Sequence, residues 1–297
     1  GQVVGRLAEG PIDTESAVIV RGVVVSTSWG ERTVSGMDAE TGERLWAKPF
    51  GQQLASPSVA HRKVFIASGN VVRALRPRNG SAAWKTRLDA TRLSDVAVAD
   101  GHVFIVTARE GAGDRLVALD ADTGAVVWTR KVAYGSTAYN GESVVTADGI
   151  VVTSRGYKLT VLDTSDGSTV WTSEVTCCLH RPAVAHRVIY TTTWTADDEG
   201  ILHAVDATTG EVLWSTSGTG YSDGVSVANG VVYQASFGLN AFDAATGESL
   251  FDLDIGFTWE APLVVDGTVY LAVENGPHDP PEGGEGLYAL RLPEEPS

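Results

Sequence analysis

One signature recurs along the chain at near-constant spacing, and no other feature limits the fold as tightly. It is an acid, then Thr-Gly, then an aromatic four residues past the glycine. The clearest copies are Asp38, Thr41, Gly42, Trp46; Asp120, Thr123, Gly124, Trp128; and Asp206, Thr209, Gly210, Trp214. Weaker copies are Arg76, Asn79, Gly80, Trp84; Asp163, Asp166, Gly167, Trp171; and Asp243, Thr246, Gly247, Phe251. Successive aromatics lie 38, 44, 43, 43 and 37 residues apart. A fixed period of this size means a repeat architecture, in which each unit buries its apolar face against its neighbours.

Within each period, short β-branched runs such as Val64-Phe65-Ile66 and Val231-Val232-Tyr233 follow turn pairs. Asp100-Gly101, Asp148-Gly149, Asn229-Gly230 and Asp266-Gly267 supply the positive φ that a tight hairpin needs. No segment of useful length has helical periodicity. The pattern predicts four antiparallel strands per unit and an all-β, seven-bladed β-propeller. The blades are expected near 12–50, 51–88, 89–132, 133–175, 176–218, 219–256 and 257–293, forming one domain over 1–297. The seventh unit ends without Thr-Gly or Trp. Residues 1–8 align with the missing outer strand, Gly5 taking the Trp position, so the N-terminal strand is expected to complete the last blade and close the ring.

The 297 residues carry a net charge of −15, which repels phosphate backbones and excludes nucleic acid as an expected partner. No apolar run approaches the length of a membrane-spanning helix. Residues 1–10 lack a basic region followed by an apolar core, so no secretion signal is expected within them. Arg outnumbers Lys, and Ala, Gly and Val abound, a composition that suits a GC-rich bacterial gene.

The core pattern, Met37-Asp38-Ala39-Glu40-Thr41-Gly42-Glu43-Arg44-Leu45-Trp46 and Val205-Asp206-Ala207-Thr208-Thr209-Gly210-Glu211-Val212-Leu213-Trp214, resembles the tryptophan-docking (PQQ-like) repeat of quinoprotein alcohol dehydrogenases and their non-enzymatic relatives. The resemblance covers essentially the whole chain. It implies that Trp46, Trp84, Trp128, Trp171 and Trp214 pack between neighbouring blades, and that the repeated acids are structural. In the dehydrogenases a disulfide between adjacent cysteines lies over the quinone; Cys177-Cys178 matches that feature by residue type and general location. The chain departs from those enzymes in having seven units where they have eight.

Equivalent positions at the start of each inner strand should converge at one channel mouth. They are Glu15, Ala55, Ser94, Glu142, His180, Asp223 and Glu260, with Ser16, Ser56, Asp95, Ser143, Arg181, Gly224 and Ala261 next inward. The expected ligand site at this mouth comprises Glu15, Asp95, Glu142, Cys177, Cys178, His180, Arg181, Asp223, Trp259 and Glu260. Trp29 and Trp194 are expected on the same rim as a stacking platform. Glu15, Glu142, Asp223 and Glu260 offer the oxygen ligands that a divalent cation such as calcium takes; PQQ is the second cofactor considered. A solvated funnel neutralised in part by Arg181 is the alternative.

The sequence has no Ser-His-Asp order, phosphate loop or zinc spacing. The expected function is therefore an extracytoplasmic scaffold, periplasmic or cell-surface, binding a protein, peptide or small molecule at the loop-rich face. The alternatives are an enzyme using the acidic mouth with a cation or an acid/base pair, and a PQQ-dependent dehydrogenase.

Overall fold

The computed structural model describes residues 2–9, 16–28, 30–52, 54–109, 113–132, 143–155, 158–174, 181–194, 200–220, 222, 224–236, 238–255, 258, 261–265, 267–273 and 286–291. They form seven antiparallel sheets in chain order, the blades of an all-β seven-bladed propeller. In blade one, the strands from inner to outer are Ser16–Val20, Val23–Ser28, Thr33–Asp38 and Arg44–Pro49. Blades two, four, five and six repeat this four-strand order. Blade three has a fifth, short strand: Arg92–Leu93 and Ala97–Ala99 both pair with His102–Ala108. Among the described residues no helix is long and apolar enough to cross a membrane.

Blade seven takes three strands from the C-terminal segment, Leu263–Val265, Thr268–Val273 and Gly286–Arg291. Gln2–Glu9 pairs antiparallel with Gly286–Arg291, with Val3 opposite Leu290. Gly5 stands opposite Ala289, just as Trp84, Trp128 and Trp214 stand opposite Ala74, Ala118 and Ala204. The register thus puts Gly5 at the position that tryptophan holds elsewhere.

By its own packing the chain divides into two compact units. One is Gly1–Ile12, Gly156–Leu159 and Trp171–Ser297; the other is Asp13–Arg155 and Thr160–Val170. In the second, apolar layers fill the space between successive blades: Val25, Val34, Val64 and Ile66 between the first two, then Phe65, Val72, Val103 and Ile105. In the first, Tyr190, Leu202 and Val232 form one such layer and Tyr233, Leu239, Val269 and Leu271 the next.

The hairpins joining inner to second strands turn through paired positive-φ residues. Asp100-Gly101, Asp148-Gly149 and Asn229-Gly230 do so as their sequence predicts. His61-Arg62 and His186-Arg187 adopt the same conformation with no glycine. Those two turns gave no sequence signal; the flanking pairing of Ala60 with Lys63 and of Ala185 with Val188 imposes the geometry.

The signature residues build one interblade joint, repeated. Each acid closes its own loop: Asp120 Oδ1 accepts from the Asp122 amide (3.1 Å), the Thr123 amide (2.7 Å) and the Thr123 hydroxyl (2.7 Å). These donors favour the ionised carboxylate and hold Asp120 below its usual 3.8; Asp38, Asp206 and Asp243 are held low in the same way, chiefly by amides. In blade two Arg76 stands in for the acid and ties the loop through Ala82 O at 2.9 Å.

Onto each loop the preceding blade sets its indole. The Nε1–H of Trp46, Trp84, Trp128, Trp171 and Trp214 donates to the carbonyl of Pro77, Ala121, Thr164, Ala207 and Ala244, at 2.6, 3.0, 3.2, 2.8 and 3.1 Å. The acceptor is always the residue after the loop's first position. Under the ring lies the loop glycine: a Cβ at Gly124 would come within 2.5 Å of Trp84, and one at Gly80 within 2.5 Å of Trp46. So glycine is required twice, by φ of +75° at Gly124 and by the indole above it. Within its own blade the indole needs a small neighbour too; a Cβ at Gly36 would lie 2.3 Å from Trp46 Nε1. Only Trp128 is fully buried; the other four are half-buried, because they cap the outer end of the interblade space.

Blade five carries a polar chain across three strands. His203 Nε2 meets Thr193 Oγ1 at 2.8 Å and Nδ1 meets Ser215 Oγ at 2.7 Å. Desolvation lowers the imidazole from its ordinary 6.5, so the folded state favours the neutral ring. The unfolded chain then binds more protons once pH falls below 6.5, and the stability this group contributes above 6.5 is lost as pH falls towards its depressed value. Denaturant melts at stepped pH should show this loss in the native chain, and His203→Gln should flatten it.

A second prediction separates the two demands on the loop glycine. Gly124→Ala meets both the left-handed φ and Trp84, whereas Gly42→Ala meets φ +71° with nothing within 4 Å. The left-handed backbone alone costs about 1–2 kcal/mol, and overpacking adds about 1–3. Urea melts should therefore find Gly124→Ala the more destabilising by at least about 1 kcal/mol. Trp128→Ala should cost about 3–5 kcal/mol, and Trp128→Phe, which keeps an aromatic but drops the donor, mainly the hydrogen bond of about 1.

Candidate functional site

Within each unit, a few of the equivalent inner-strand positions are neighbours. In the Asp13–Arg155 unit, the Ser56 amide donates to Asp95 Oδ1 at 2.8 Å, joining blades two and three at neighbouring ring positions. Ser58 Oγ donates to the Val96 carbonyl beside it. Ser94 is buried, its hydroxyl donating to Asp95 O at 2.7 Å and accepting from the Val106 amide at 2.9 Å. In the other unit, Arg181 and Gly224 form a parallel bridge, and a Cβ at Gly224 would lie 3.1 Å from that of Ala261. Arg181, Gly224 and Ala261 are thus neighbours despite their separation in sequence. Ser226 Oγ donates to the Pro262 carbonyl in the same layer, as Ser58 does to Val96.

Of the expected site residues, Asp95 and Arg181 are placed with their side chains: Asp95 is half-buried and Arg181 exposed. Glu15, Glu142, Cys177, Cys178, His180, Asp223, Trp259, Glu260 and Trp29 lie outside the described residues. Trp194 ends the second strand of blade five, opposite Gly200. No group of three or more His, Cys, Asp or Glu able to hold a metal occurs among the described residues. In the same unit as Arg181, Gln234 Nε2 donates to Thr219 O at 3.0 Å, and Gln234 Oε1 and the hydroxyls of Thr191, Thr192, Thr219 and Thr258 are buried without a protein partner among the described residues. Such groups want water or a polar ligand.

A second surface was not read from the sequence. The outer strands pair on one side only. Five of the described outer strands carry a β-bulge just before the docking aromatic: in blade one, Gly36 pairs Trp46 and Met37 pairs Arg44, leaving Leu45 unpaired. Ala83, Val127, Leu213 and Leu250 are the same extra residue in blades two, three, five and six. A bulge bends an edge strand and re-aims a side chain. Here it turns an apolar one to solvent. Among the described residues nine large hydrophobics are exposed, and seven of them are on outer strands: Leu45, Val126, Val127, Val170, Val212, Leu213 and Leu250. The signal was present in the apolar residue before each aromatic, hidden because alternation alone does not reveal a bulge.

A PQQ-repeat family model, described as outer membrane protein assembly factor BamB, matches residues 30–181 and 198–289. The chain belongs to the BamB family. It is 27% identical over 270 residues to BamB of Yersinia pestis, covering 82% of this chain and 57% of that protein. It is 26% identical over 280 residues to BamB of Moranella endobia, covering 85% and 60%. The chain thus spans about three fifths of the length of these curated relatives. Among solved structures, BamB of Moraxella catarrhalis superposes with a TM-score of 0.70 at 18% identity, over 93% of this chain and 84% of that one. A europium-containing methanol dehydrogenase superposes at 0.68 and 15%, over 88% and 72%. At these identities the likeness is one of fold, shared by a BamB and a quinoprotein enzyme alike.

Proposed function

We propose that this BamB-family chain is a protein-binding scaffold that works outside the cytoplasm in the assembly of outer membrane proteins. The observation that carries the reading is the repeated apolar residue on the bulged outer strands. Apolar side chains exposed in one structural position, blade after blade, offer a partner protein a repeated contact point. The bulges blunt the edges against indiscriminate strand addition, so contact runs through side chains. The family membership supports the same reading, since its named members are assembly factors. In this reading residues 1–297 are one domain, and strand Gln2–Glu9 closes the ring. The mouth residues Glu15, Asp95, Glu142, Cys177, Cys178, His180, Arg181, Asp223, Trp259 and Glu260, with Trp29 and Trp194 on the rim, serve as a second contact face.

The test is capture of a urea-denatured outer membrane β-barrel protein, diluted from denaturant onto the immobilised chain. Replacing Leu45, Val127, Leu213 and Leu250 together by Ser should weaken capture at least about tenfold, a loss of about 1.4 kcal/mol, with the thermal midpoint unchanged. Undiminished capture by that variant contradicts the outer-strand reading.

A further inference from the structure

The chain is strongly acidic overall, yet one stretch reverses the sign. From Arg44 to Leu88 there are nine Lys and Arg and not one Asp or Glu, whereas the whole chain has 22 against 37. The stretch is the outer strand of blade one and all of blade two. Register then sorts these cations. Arg73 pairs with Lys85 and Val71 with Arg87 across the two outermost strands of blade two, so Val71, Arg73, Lys85 and Arg87 share one face. Ser68 pairs with Val71 on that same face.

This face borders a half-open cavity of about 320 Å³ lined mainly by polar groups, Arg73, Arg87, Ser68, Asn70 and Gln52 among them, with Phe50 as its apolar wall. The Arg73 guanidinium lies 5.1 Å from the centre of the Phe50 ring. One of its nitrogens donates to Val71 O at 3.3 Å, and Arg87 donates to Asn70 Oδ1 at 3.3 Å. Neither arginine has a carboxylate partner among the described residues. The two repel: burial first and Arg87 second lower the Arg73 guanidinium from its ordinary value. Ser68 Oγ is buried in the wall without a hydrogen-bond partner among the described residues. Two other cations of the chain do have carboxylate partners, Lys63 with Asp122 at 2.5 Å and Arg109 with Asp89. Two guanidinium forks without a carboxylate partner among the described residues, at one polar cavity, suit an external oxyanion.

We infer that this face of blade two docks an acidic segment of a partner protein, seating one carboxylate at Arg73 and Arg87. The charge complementarity that repels this face from most anion-poor surfaces selects an acidic one, and a guanidinium fork matches a carboxylate in shape. The apolar wall at Phe50 accommodates the methylene stem of a Glu. The inference is independent of the outer-strand reading.

The test uses the whole chain and fluorescein-labelled hexaglutamate, followed by anisotropy. Saturable binding is expected, weakening steeply with salt as the Debye length shortens from about 30 Å at 0.01 M to about 8 Å at 0.15 M. Arg73→Gln with Arg87→Gln should weaken it at least about tenfold; Arg87→Gln alone, at an exposed position that leaves the Phe50 contact intact, should weaken it measurably. Arg62→Gln, in the turn between the two innermost strands of the same blade, should leave it unchanged. The outer-strand Ser variant should bind hexaglutamate as the native chain does, which keeps this inference separate from the preceding one. Absence of saturable binding, or equal loss in Arg62→Gln, overturns the site. Displacement of the peptide by inorganic phosphate at comparable concentration assigns it to a free anion instead. Tighter binding to phosphatidylglycerol vesicles, lost in the same variants, assigns it to a membrane; either result overturns the inference.

Discussion

An indole N–H reaching across a blade boundary to one backbone carbonyl is the contact on which the rest of this fold depends. A single sheet of four short strands cannot bury enough apolar surface to be stable alone. The docked tryptophan links each such sheet to the next by a directional bond and a large apolar face at once. It also fixes what surrounds it. The loop beneath must be glycine at Gly80, Gly124, Gly167, Gly210 and Gly247, and the third-strand residue beside it must be small, as at Gly36, Ala74, Ala118 and Ala204. The Asp-x-x-Thr frame then holds the loop so that its carbonyl faces the incoming N–H.

The same joint shapes the surface. To bring the aromatic onto the next blade, the outer strand carries an extra residue immediately before it, and that residue has no cross-strand partner. Structure and proposed function meet at this point: the bulge that seats Trp128 inward exposes Val127, and the one that seats Trp214 exposes Leu213. A repeat kept for stability thereby repeats an exposed apolar residue. The basic face of blade two is of a different kind, since it departs from the repeat. Arg76 has replaced the loop acid, and Arg73 and Arg87 stand where charge is not needed for packing.

The period of the aromatics was enough to read a seven-bladed all-β fold, because the docking joint involves residues a few positions apart whose types are nearly invariant between copies. The strand order followed from the turn pairs Asp100-Gly101, Asp148-Gly149 and Asn229-Gly230. Ser56 lies beside Asp95, and Gly224 beside Arg181 and Ala261, while the expected mouth itself falls mostly on residues outside the described ones. The outer surface was not legible. Leu45 and Val127 read as ordinary alternating residues until the register shows them unpaired. The cavity at Arg73 and Arg87 was missed for a related reason: net charge averages over the chain and hides a stretch of opposite sign.

Native-state hydrogen exchange of the blade-three loop in a Trp84→Ala chain tests the docking joint most directly. The Gly124 amide donates to Asp120 O at 2.8 Å within that loop, a bond in which Trp84 takes no part. If the indole holds the neighbouring blade's loop in place, Gly124 and Thr123 should exchange much faster in the variant, while the equivalent Gly247 loop, docked by Trp214, keeps its native protection. Loss of protection confined to blade two, with Gly124 exchanging as in the native chain, would contradict the account.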